Sequence, residues 1–299
     1  MHRRAFIQET GKIAIAVSVF GNIRWNNTSF IGDEPTTTDI LGPFYRPGAP
    51  FRSDINPPGF SGDVLHLSGK VLKEDARTPF KNCLVEIWQC DKDQQYDNIS
   101  DNYRYRGAQK TDSSGHYHFI TTQPVPYPVE AGSSIYRPAH IHMRIAADGQ
   151  QDLVTQIYFK GDSLIEEDPS ASSPTAINRI LNITLNRANQ KQLRFDVVLA
   201  KEFKPADTVY EKLVGLYKMN DRSIMEFYRK GDLLFMKWNG QIREALSYKG
   251  NNEFRGGING ATTAKFDPQA DGQVKLIIHY NAPALRKQFD LEGTKAFKY

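Results

Sequence analysis

Two histidines, His140 and His142, are the clearest candidates for chemistry in this 299-residue chain. They lie in the segment 137–142, whose sequence is RPAHIH. If this segment is an extended strand, alternate side chains point to the same face, so both imidazoles project together and Ile141 points into the opposite layer. Two imidazoles on one face can share a metal ion. The pair therefore predicts a metal site but does not identify the metal.

Two tyrosines that precede this pair, Tyr96 and Tyr127, narrow the choice of metal. A phenol has a pKa of about 10, so it ionises at neutral pH only beside a strong Lewis acid. Phenolate oxygen is a hard ligand, which suits a hard trivalent cation. Two histidines combined with two tyrosines therefore favour Fe(III).

The residues by themselves also allow other interpretations. The chain contains 14 tyrosines, and a single tyrosine is more often a packing residue with a hydrogen-bonded tip than a metal ligand. His116 and His118 form a second pair on another alternating segment. That pair could serve a metal hydrolase, although no general base can be named for it. Arg137 could form an ion pair at the surface instead of facing a reacting group.

Short apolar or alternating segments between Val64 and Leu199 must position these residues. Glycine, proline and Asp-Ser turns separate these short segments. This pattern is typical of an all-β sandwich and not of alternating strands and helices. The segments 96–111 and 123–137 are predicted to be loops, and each contains one of the two tyrosines. The predicted strands are 64–71, 84–88, 116–121, 140–145, 154–159 and 195–199.

The sequence pattern changes after Pro205 to a series of hairpins. Asn239-Gly240 and Asp271-Gly272 are tight-turn signals between strand-like segments,. We therefore predict a second, smaller antiparallel β domain at the C-terminus. The predicted organisation is an export signal-like segment at 1–25, a β-sandwich domain at 26–205 and an accessory β domain at 206–299.

The N-terminal segment resembles a twin-arginine export signal. Arg3 and Arg4 precede an apolar run at 13–20, which is shorter than the roughly 20 residues that a membrane-spanning helix needs. We expect an exported, periplasmic protein with no stable membrane span. The alternatives are a short buried N-terminal helix and a cytoplasmic location.

The charge of the chain argues against nucleic acid as a partner. The formal net charge is +4, from 38 Lys and Arg against 34 Asp and Glu. No run of basic residues and no basic helix face accompanies this small excess, so the electrostatic footprint of a nucleic-acid binder is missing. The sequence leaves the oligomeric state open, with a homo-oligomer as one option.

Six motifs, taken in order, resemble those of the intradiol aromatic-ring-cleaving dioxygenases. The resemblance covers residues 36 to about 200 and looks closer to protocatechuate 3,4-dioxygenase subunits than to catechol 1,2-dioxygenases, which carry a helical N-terminal dimerisation segment. The motifs are LGPFY at 41–45, VEIWQ at 85–89, Tyr96, PYP at 126–128, RPAHIH at 137–142 and TQIYF at 155–159.

This resemblance implies an activity and a cofactor. It implies a non-haem Fe(III) enzyme that cleaves a catechol-type ring between its two hydroxylated carbons and inserts both atoms of O₂. The competing hypotheses are a non-catalytic β-sandwich binding module, because fold alone does not determine function, and the metal hydrolase described above. The implied iron ligands are Tyr96, Tyr127, His140 and His142.

The resemblance also implies roles for residues around the metal. Tyr127 would act as a base as well as a ligand. Arg137 would face the ring and stabilise the negative charge that develops on the substrate, and Gln156 would help to orient it. The predicted lining of the substrate mouth is Ile40, Pro43 and Tyr45.

Overall fold

The computed structural model describes residues 36–299 apart from 131, 149, 151, 200–204, 284–286 and 298–299, and also the backbone of three short N-terminal strands. The predicted export segment lies mostly outside the described residues, so the export signal stays a prediction. No described helix is long and apolar enough to cross a membrane. The N-terminal strands form one antiparallel sheet and are β1 (Val17–Ser18), β2 (Gly21–Trp25) and β3 (Phe30–Gly32).

The middle of the chain forms a β-sandwich. Its strands are β4 (Leu65–Leu72), β5 (Leu84–Trp88), β6 (Arg106–Lys110), β7 (His116–Thr121), β8 (Tyr127–Pro128), β9 (Tyr136–Arg137), β10 (His140–Ala146), β11 (Leu153–Phe159), β12 (Ile180–Leu181), β13 (Thr184–Leu185), β14 (Lys191–Arg194) and β15 (Val197–Val198). One sheet has the order β12-β11-β10-β5-β6. The other has the order β13-β14-β4-β15, with β7 also paired to β4, while β8 and β9 form a separate pair. A 3₁₀ segment at Pro174–Arg179 leads into β12.

Strand β10 is buried on both faces. Ile141, Met143 and Ile145 belong to the hydrophobic core between the two sheets. Because side chains alternate along a strand, His140 and His142 point to the other side of the sheet. Strand β10 therefore places the two histidines on one face, opposite Ile141, as predicted.

The C-terminal part forms a closed antiparallel barrel of eight strands, in which β16 to β23 follow in sequence order. Closure pairs the first strand with the last and so leaves no free sheet edge,. Aromatic side chains fill the interior, where Phe266 contacts both Phe227 and Phe254 edge to face. The elements are α1 (Asp207–Leu213), β16 (Gly215–Met219), β17 (Ile224–Lys230), β18 (Leu233–Trp238), β19 (Gln241–Gly250), β20 (Glu253–Gly256), a 3₁₀ turn at Ile258–Gly260, β21 (Thr262–Pro268), β22 (Val274–Ala282) and β23 (Lys287–Phe297).

The predicted fold class is confirmed: a β-sandwich is followed by a smaller antiparallel β domain. The prediction of a loop over 96–111 is wrong at its end, because β6 pairs along its whole length with β5. The sequence of β6, RGAQK, has no alternating apolar pattern, so its strand conformation depends on hydrogen bonds to its neighbour. The exact domain boundaries at 25 and 205 stay predictions.

The barrel packs directly against the sandwich through a shared hydrophobic cluster. Strands β18 and β19 supply Leu233, Phe235 and Ala245. The sandwich side of the cluster consists of Leu41, Tyr45, Trp88 and Val154. The second domain thus covers Leu41 and Tyr45 in the segment that was predicted to line the substrate mouth, while Pro43 and Phe44 stay partly exposed.

Strand β19 also places a buried carboxylate, Glu244, at this interface. Burial raises the pKa of Glu244 to about 8, while hydrogen bonds from the backbone N–H groups of Leu41 and Ala245 oppose the shift and the nearby Asp39 adds to it. Tyr280 also faces this carboxylate from β22. The folded protein therefore retains a proton on Glu244 at pH values where the unfolded chain has lost it.

We expect this proton to make stability depend on pH. The ordinary pKa is 4.5 and the folded pKa is about 8, so wild-type stability should fall as pH rises through this window, by at most about 1.4 kcal/mol per pH unit. Glu244→Gln should remove that slope, and urea unfolding at several pH values measures it. Glu253→Gln is the control, since Glu253 pairs with Arg255 on the barrel surface. Parallel stability curves for wild type and Glu244→Gln would contradict the expectation.

Candidate metal and active site

The pairing of β10 with its two neighbours positions His142. The register sets His142 opposite Trp88 on β5 and Gln156 on β11. The His142 ring stacks on Trp88 with centroids 4.9 Å apart and planes inclined by 6°. Nε2 of the Gln156 amide lies 3.2 Å from Nδ1 of His142. These contacts fix the ring, and its Nε2 lies 3.2 Å from Nε2 of His140.

His140 has a defined tautomer. Its Nδ1 lies 2.7 Å from the carbonyl oxygen of Pro138. A carbonyl oxygen only accepts hydrogen bonds, so Nδ1 carries the proton and Nε2 presents its lone pair. This is the arrangement that second-shell hydrogen bonds impose on metal-binding histidines.

The two tyrosines reach the same point from outside the main sheets. Tyr127 lies on β8, where it pairs with Arg137 of β9, and its Oη is 3.2 Å from Nε2 of His140. The Tyr96 ring contacts the Tyr127 and His142 rings edge to face, with centroids 5.3 and 5.9 Å away. In the described part of the chain, the buried hydroxyl of Tyr96 has no well-formed hydrogen bond.

Burial controls the pKa values of all four groups. It lowers the pKa of His140 to about 3 and that of His142 well below its ordinary value, so both imidazoles are neutral. It raises the pKa of Tyr96 well above the ordinary value. The pKa of Tyr127 is also raised by burial, although Arg137 opposes the shift. The phenols would therefore ionise only against the charge of a metal ion.

These four side chains fit a single metal ion. Donor atoms that share a metal at about 2 Å lie roughly 3 Å apart, and the separations of 3.2 Å that join Tyr127, His140 and His142 match this value. The buried hydroxyl of Tyr96 interacts with that of Tyr127 but makes no well-formed hydrogen bond among the described residues, so it is available as a fourth donor. No cluster of three or more His, Cys, Asp or Glu side chains occurs among the described residues. A metal site here therefore depends on the tyrosines.

Arg137 is buried beside these donors and held by several partners. Its Nε donates to Oδ2 of Asp168 at 2.9 Å. Its Nη2 donates to Oε1 of Gln156 at 3.1 Å and to Oη of Tyr158 at 3.2 Å. Burial would lower the pKa of Arg137, but Asp168, Tyr158 and Tyr127 outweigh it and raise the pKa well above the ordinary value. A permanent positive charge is therefore fixed next to Tyr127.

Asp168 and Tyr158 are site residues that the sequence reasoning missed. Asp168 lies in the connection after β11, where no motif marks it, and it pairs with Arg137 across 31 positions of sequence. Tyr158 belongs to the TQIYF motif at 155–159, but no role was predicted for it. The alternation of β11 offers a signal for it, because Tyr158 lies two residues after Gln156 on the same face.

The predicted substrate loop is only partly at the site. The carbonyl of Ile40 accepts a hydrogen bond of 2.8 Å from Gln156, and Pro43 is half-buried. Tyr45 does not reach the four donors: its ring lies against Trp88 and against Phe235 of the barrel.

Phe44 and Gly42 lie in the same segment. No role was predicted for either residue, and both lie at the site. Phe44 stacks on Tyr96 with ring centroids 4.3 Å apart. Gly42 has φ +76°, and a Cβ there would lie 3.3 Å from Cε1 of His142. The backbone therefore approaches His142 closely, and the positive φ of Gly42 favours glycine at this position.

The second histidine pair does not form a comparable site. His116 is exposed on β7. Nε2 of His118 lies 3.1 Å from Nδ1 of His66, and the two rings stack. The structure thus brings His118 to His66 and offers no third donor from the described His, Cys, Asp or Glu residues.

Comparison with known proteins gives consistent matches. A family model described as "Dioxygenase" matches residues 40–201. The chain is 28% identical over 207 residues to chlorocatechol 1,2-dioxygenase of Rhodococcus opacus, covering 60% of this chain and 77% of that protein. It is 33% identical over 154 residues to the protocatechuate 3,4-dioxygenase beta chain of Burkholderia cepacia, covering 46% of this chain and 65% of that protein.

A solved structure shows the same likeness. The crystal structure of 3-chlorocatechol 1,2-dioxygenase from Rhodococcus opacus 1CP aligns with 56% of this chain and 74% of that chain, with a TM-score of 0.50 and 27% identity. Neither the binding-module hypothesis nor the hydrolase hypothesis gains support from these matches. The matched family region covers more than half of the 299 residues and contains all four candidate metal ligands. The chain belongs to the intradiol ring-cleavage dioxygenases, oxidoreductases that open catechol-type rings.

Proposed function

We propose that Tyr96, Tyr127, His140 and His142 bind one non-haem Fe(III) ion and that the enzyme uses it to open a catechol-type substrate with O₂. The observation that carries this proposal is the convergence of four buried donor groups. Two are neutral imidazoles and two are phenols, of which Tyr96 has no well-formed hydrogen bond in the described residues. Hard phenolate oxygens favour a trivalent ion over zinc or copper.

Ferric iron would supply Lewis acidity, which lowers the pKa of the catechol hydroxyls and draws electron density from them. Tyr127 would take a proton at Oη from one substrate hydroxyl. Its Oη lies 3.2 Å from Nε2 of His140, and Arg137 opposes the rise that burial causes in its pKa. Arg137 thus favours the ionised form of Tyr127, which is the form that accepts the proton.

Arg137 and Gln156 would act on the substrate ring. The guanidinium is 2% exposed and is held by Asp168, so its charge acts in a site from which water is excluded,. It would stabilise the negative charge that develops on substrate carbon and oxygen. Gln156 contacts both Arg137 and His142 and so fixes their relative positions.

The substrate would approach beside Pro43, Phe44 and Tyr96. These three residues are partly exposed, whereas the side chains of Arg137 and His142 are almost fully buried. The names of the relatives include chlorocatechol, protocatechuate and hydroxyquinol dioxygenases. We propose a substrate with two adjacent ring hydroxyls, opened between the two oxygenated carbons so that both atoms of O₂ appear in a dicarboxylic acid.

The test is to load the purified protein with ferric iron, and separately with zinc, and to measure metal content, visible absorption and O₂ uptake. We expect one iron per chain, a visible tyrosinate-to-iron absorption band, and O₂ consumption with at least one of catechol, protocatechuate, chlorocatechol or hydroxyquinol. The product should contain both oxygen atoms from labelled O₂. Zinc-loaded protein is the matched control and should be colourless and inactive. A protein that ferric salts cannot load, or one that binds iron and consumes no O₂ with any of these substrates, would refute the proposal.

A further inference from the structure

Glu244 of the barrel contacts the segment of the sandwich that lies against the metal site. Its Oε1 accepts hydrogen bonds of 3.2 Å from the backbone N–H of Leu41 and from that of Ala245. The residue is 1% exposed. We propose that Glu244 is a positioning residue, which holds the segment Leu41–Gly42 against His142, and that the barrel is therefore a structural part of the active site. This inference rests on the proposed function.

The position of Glu244 is unusual for a residue with only a packing role. Burying a carboxyl group is costly unless hydrogen bonds satisfy it. The hydrogen bonds that satisfy it come from backbone N–H groups, including that of Gly257. A Cβ on Gly257 would lie 3.3 Å from Oε2 of Glu244. The 3₁₀ turn after β20 thus closes around the Glu244 carboxyl group, and Oε1 of this group points across the domain interface.

Leu41 connects Glu244 to the site in two directions. The preceding carbonyl, that of Ile40, accepts a hydrogen bond of 2.8 Å from Gln156, and Gln156 contacts both His142 and Arg137. The following residue, Gly42, approaches Cε1 of His142 closely. A displacement of the Leu41 backbone would therefore move groups on two sides of His142.

Apolar contacts and a second polar contact hold the barrel on the same segment. Leu41 packs in the cluster that contains Phe235 of β18, and Ile40 packs on Ile258. Nζ of Lys230 donates to Oη of Tyr45 at 3.0 Å. The barrel therefore contacts the predicted substrate loop at both of its ends, and Glu244 fixes its backbone between them.

Hydrogen exchange at the Leu41 amide gives a direct test that does not depend on iron. Glu244→Met keeps nearly the same volume but removes the acceptor, so exchange of the segment 39–45 should increase on the order of tenfold or more. Glu244→Gln keeps one amide oxygen for Leu41 and should retain the protection. Glu253→Gln, which alters only a surface ion pair with Arg255, is the matched control. Unchanged protection in Glu244→Met would overturn the proposal.

Steady-state kinetics provide the second readout. Glu244→Met should raise KM for the catechol-type substrate on the order of tenfold and change kcat less, because the substitution loosens the segment 40–45 beside the substrate but removes none of the four ligands and leaves Arg137. Glu244→Gln should restore KM. A wild-type protein without iron or activity would refute the proposed function and leave the exchange result valid. An active wild type whose KM does not respond to Glu244→Met would overturn the positioning role.

The wild-type protein alone also permits a test if Glu244→Met does not fold. The proposal requires the Leu41 amide to exchange about as slowly as the amides of β19, because its hydrogen bond to Glu244 joins the two segments. Exchange of the Leu41 amide that is much faster than that of β19 would overturn the proposal.

Discussion

Replacing His142 with alanine should abolish iron binding and lower turnover of the catechol-type substrate by more than about 100-fold. Loss of a group that only supports a metal ligand typically costs 10- to 100-fold, so loss of the ligand itself should cost more. His142 is held between Trp88 and Gln156, and no other described imidazole lies where it could replace it. Metal analysis, visible absorption and O₂ uptake measure the effect.

The matched control is His116→Ala. His116 is the exposed member of the second histidine pair, so this substitution should leave iron content, absorption and turnover unchanged. Loss of iron in His116→Ala, together with its retention in His142→Ala, would reverse the assignment of the two pairs and favour the alternative site.

Replacing Arg137 with glutamine should lower kcat by about 10²- to 10³-fold while iron stays bound. This is the usual cost of removing one preorganised group that stabilises charge in the transition state. Arg137 is not one of the four proposed ligands, so the tyrosinate-to-iron absorption should persist. Arg137→Lys keeps a positive charge but loses the fixed fork that contacts Asp168 and Gln156,. We expect intermediate activity from it.

Stability must be separated from catalysis in this test. Arg137 and Asp168 are each 2% exposed, so removing the arginine leaves a buried carboxylate unpaired, at a cost of about 3–5 kcal/mol. The double variant Arg137→Gln with Asp168→Asn should recover much of this stability in urea unfolding and none of the lost kcat. Recovery of kcat in the double variant would show that Arg137 acts only through stability.

The positions of the histidines and tyrosines show how much of the site local sequence could predict. The alternation of β10 is a property of any strand, so His140 and His142 had to lie on one face wherever the strand was placed. Residue type suggested that Tyr96 and Tyr127 join the histidines, but only the family resemblance gave their places, since Tyr96 lies outside the strands and Tyr127 lies in the two-residue strand β8, which is too short to show a period. The partners of Arg137 were not predicted, because Asp168 is distant in sequence and carries no local signal.

The fold, like the site, could be predicted from local sequence only in part. Alternating apolar segments predicted the long sandwich strands β4, β5, β7, β10 and β11 correctly, but not the two-residue strands β8, β9, β12 and β13. Strand β6 was assigned to a loop, since its sequence has no apolar alternation and its conformation depends on pairing with β5. The hairpin signals after Pro205 indicated an antiparallel domain but not its closure. Closure depends on pairing β16 with β23, which are far apart in sequence.

The sequence by itself determined which groups are available for chemistry and that His140 and His142 share a face, because residue type sets what a group can bind and the period of a strand sets which side chains point together. The tertiary structure decided the surroundings of that chemistry. It buried Arg137 with Asp168, turned Tyr45 away from the ligands, and brought Glu244 of the barrel to the backbone of Leu41. Contacts of this kind join residues that are far apart in sequence, and only the packed chain specifies them.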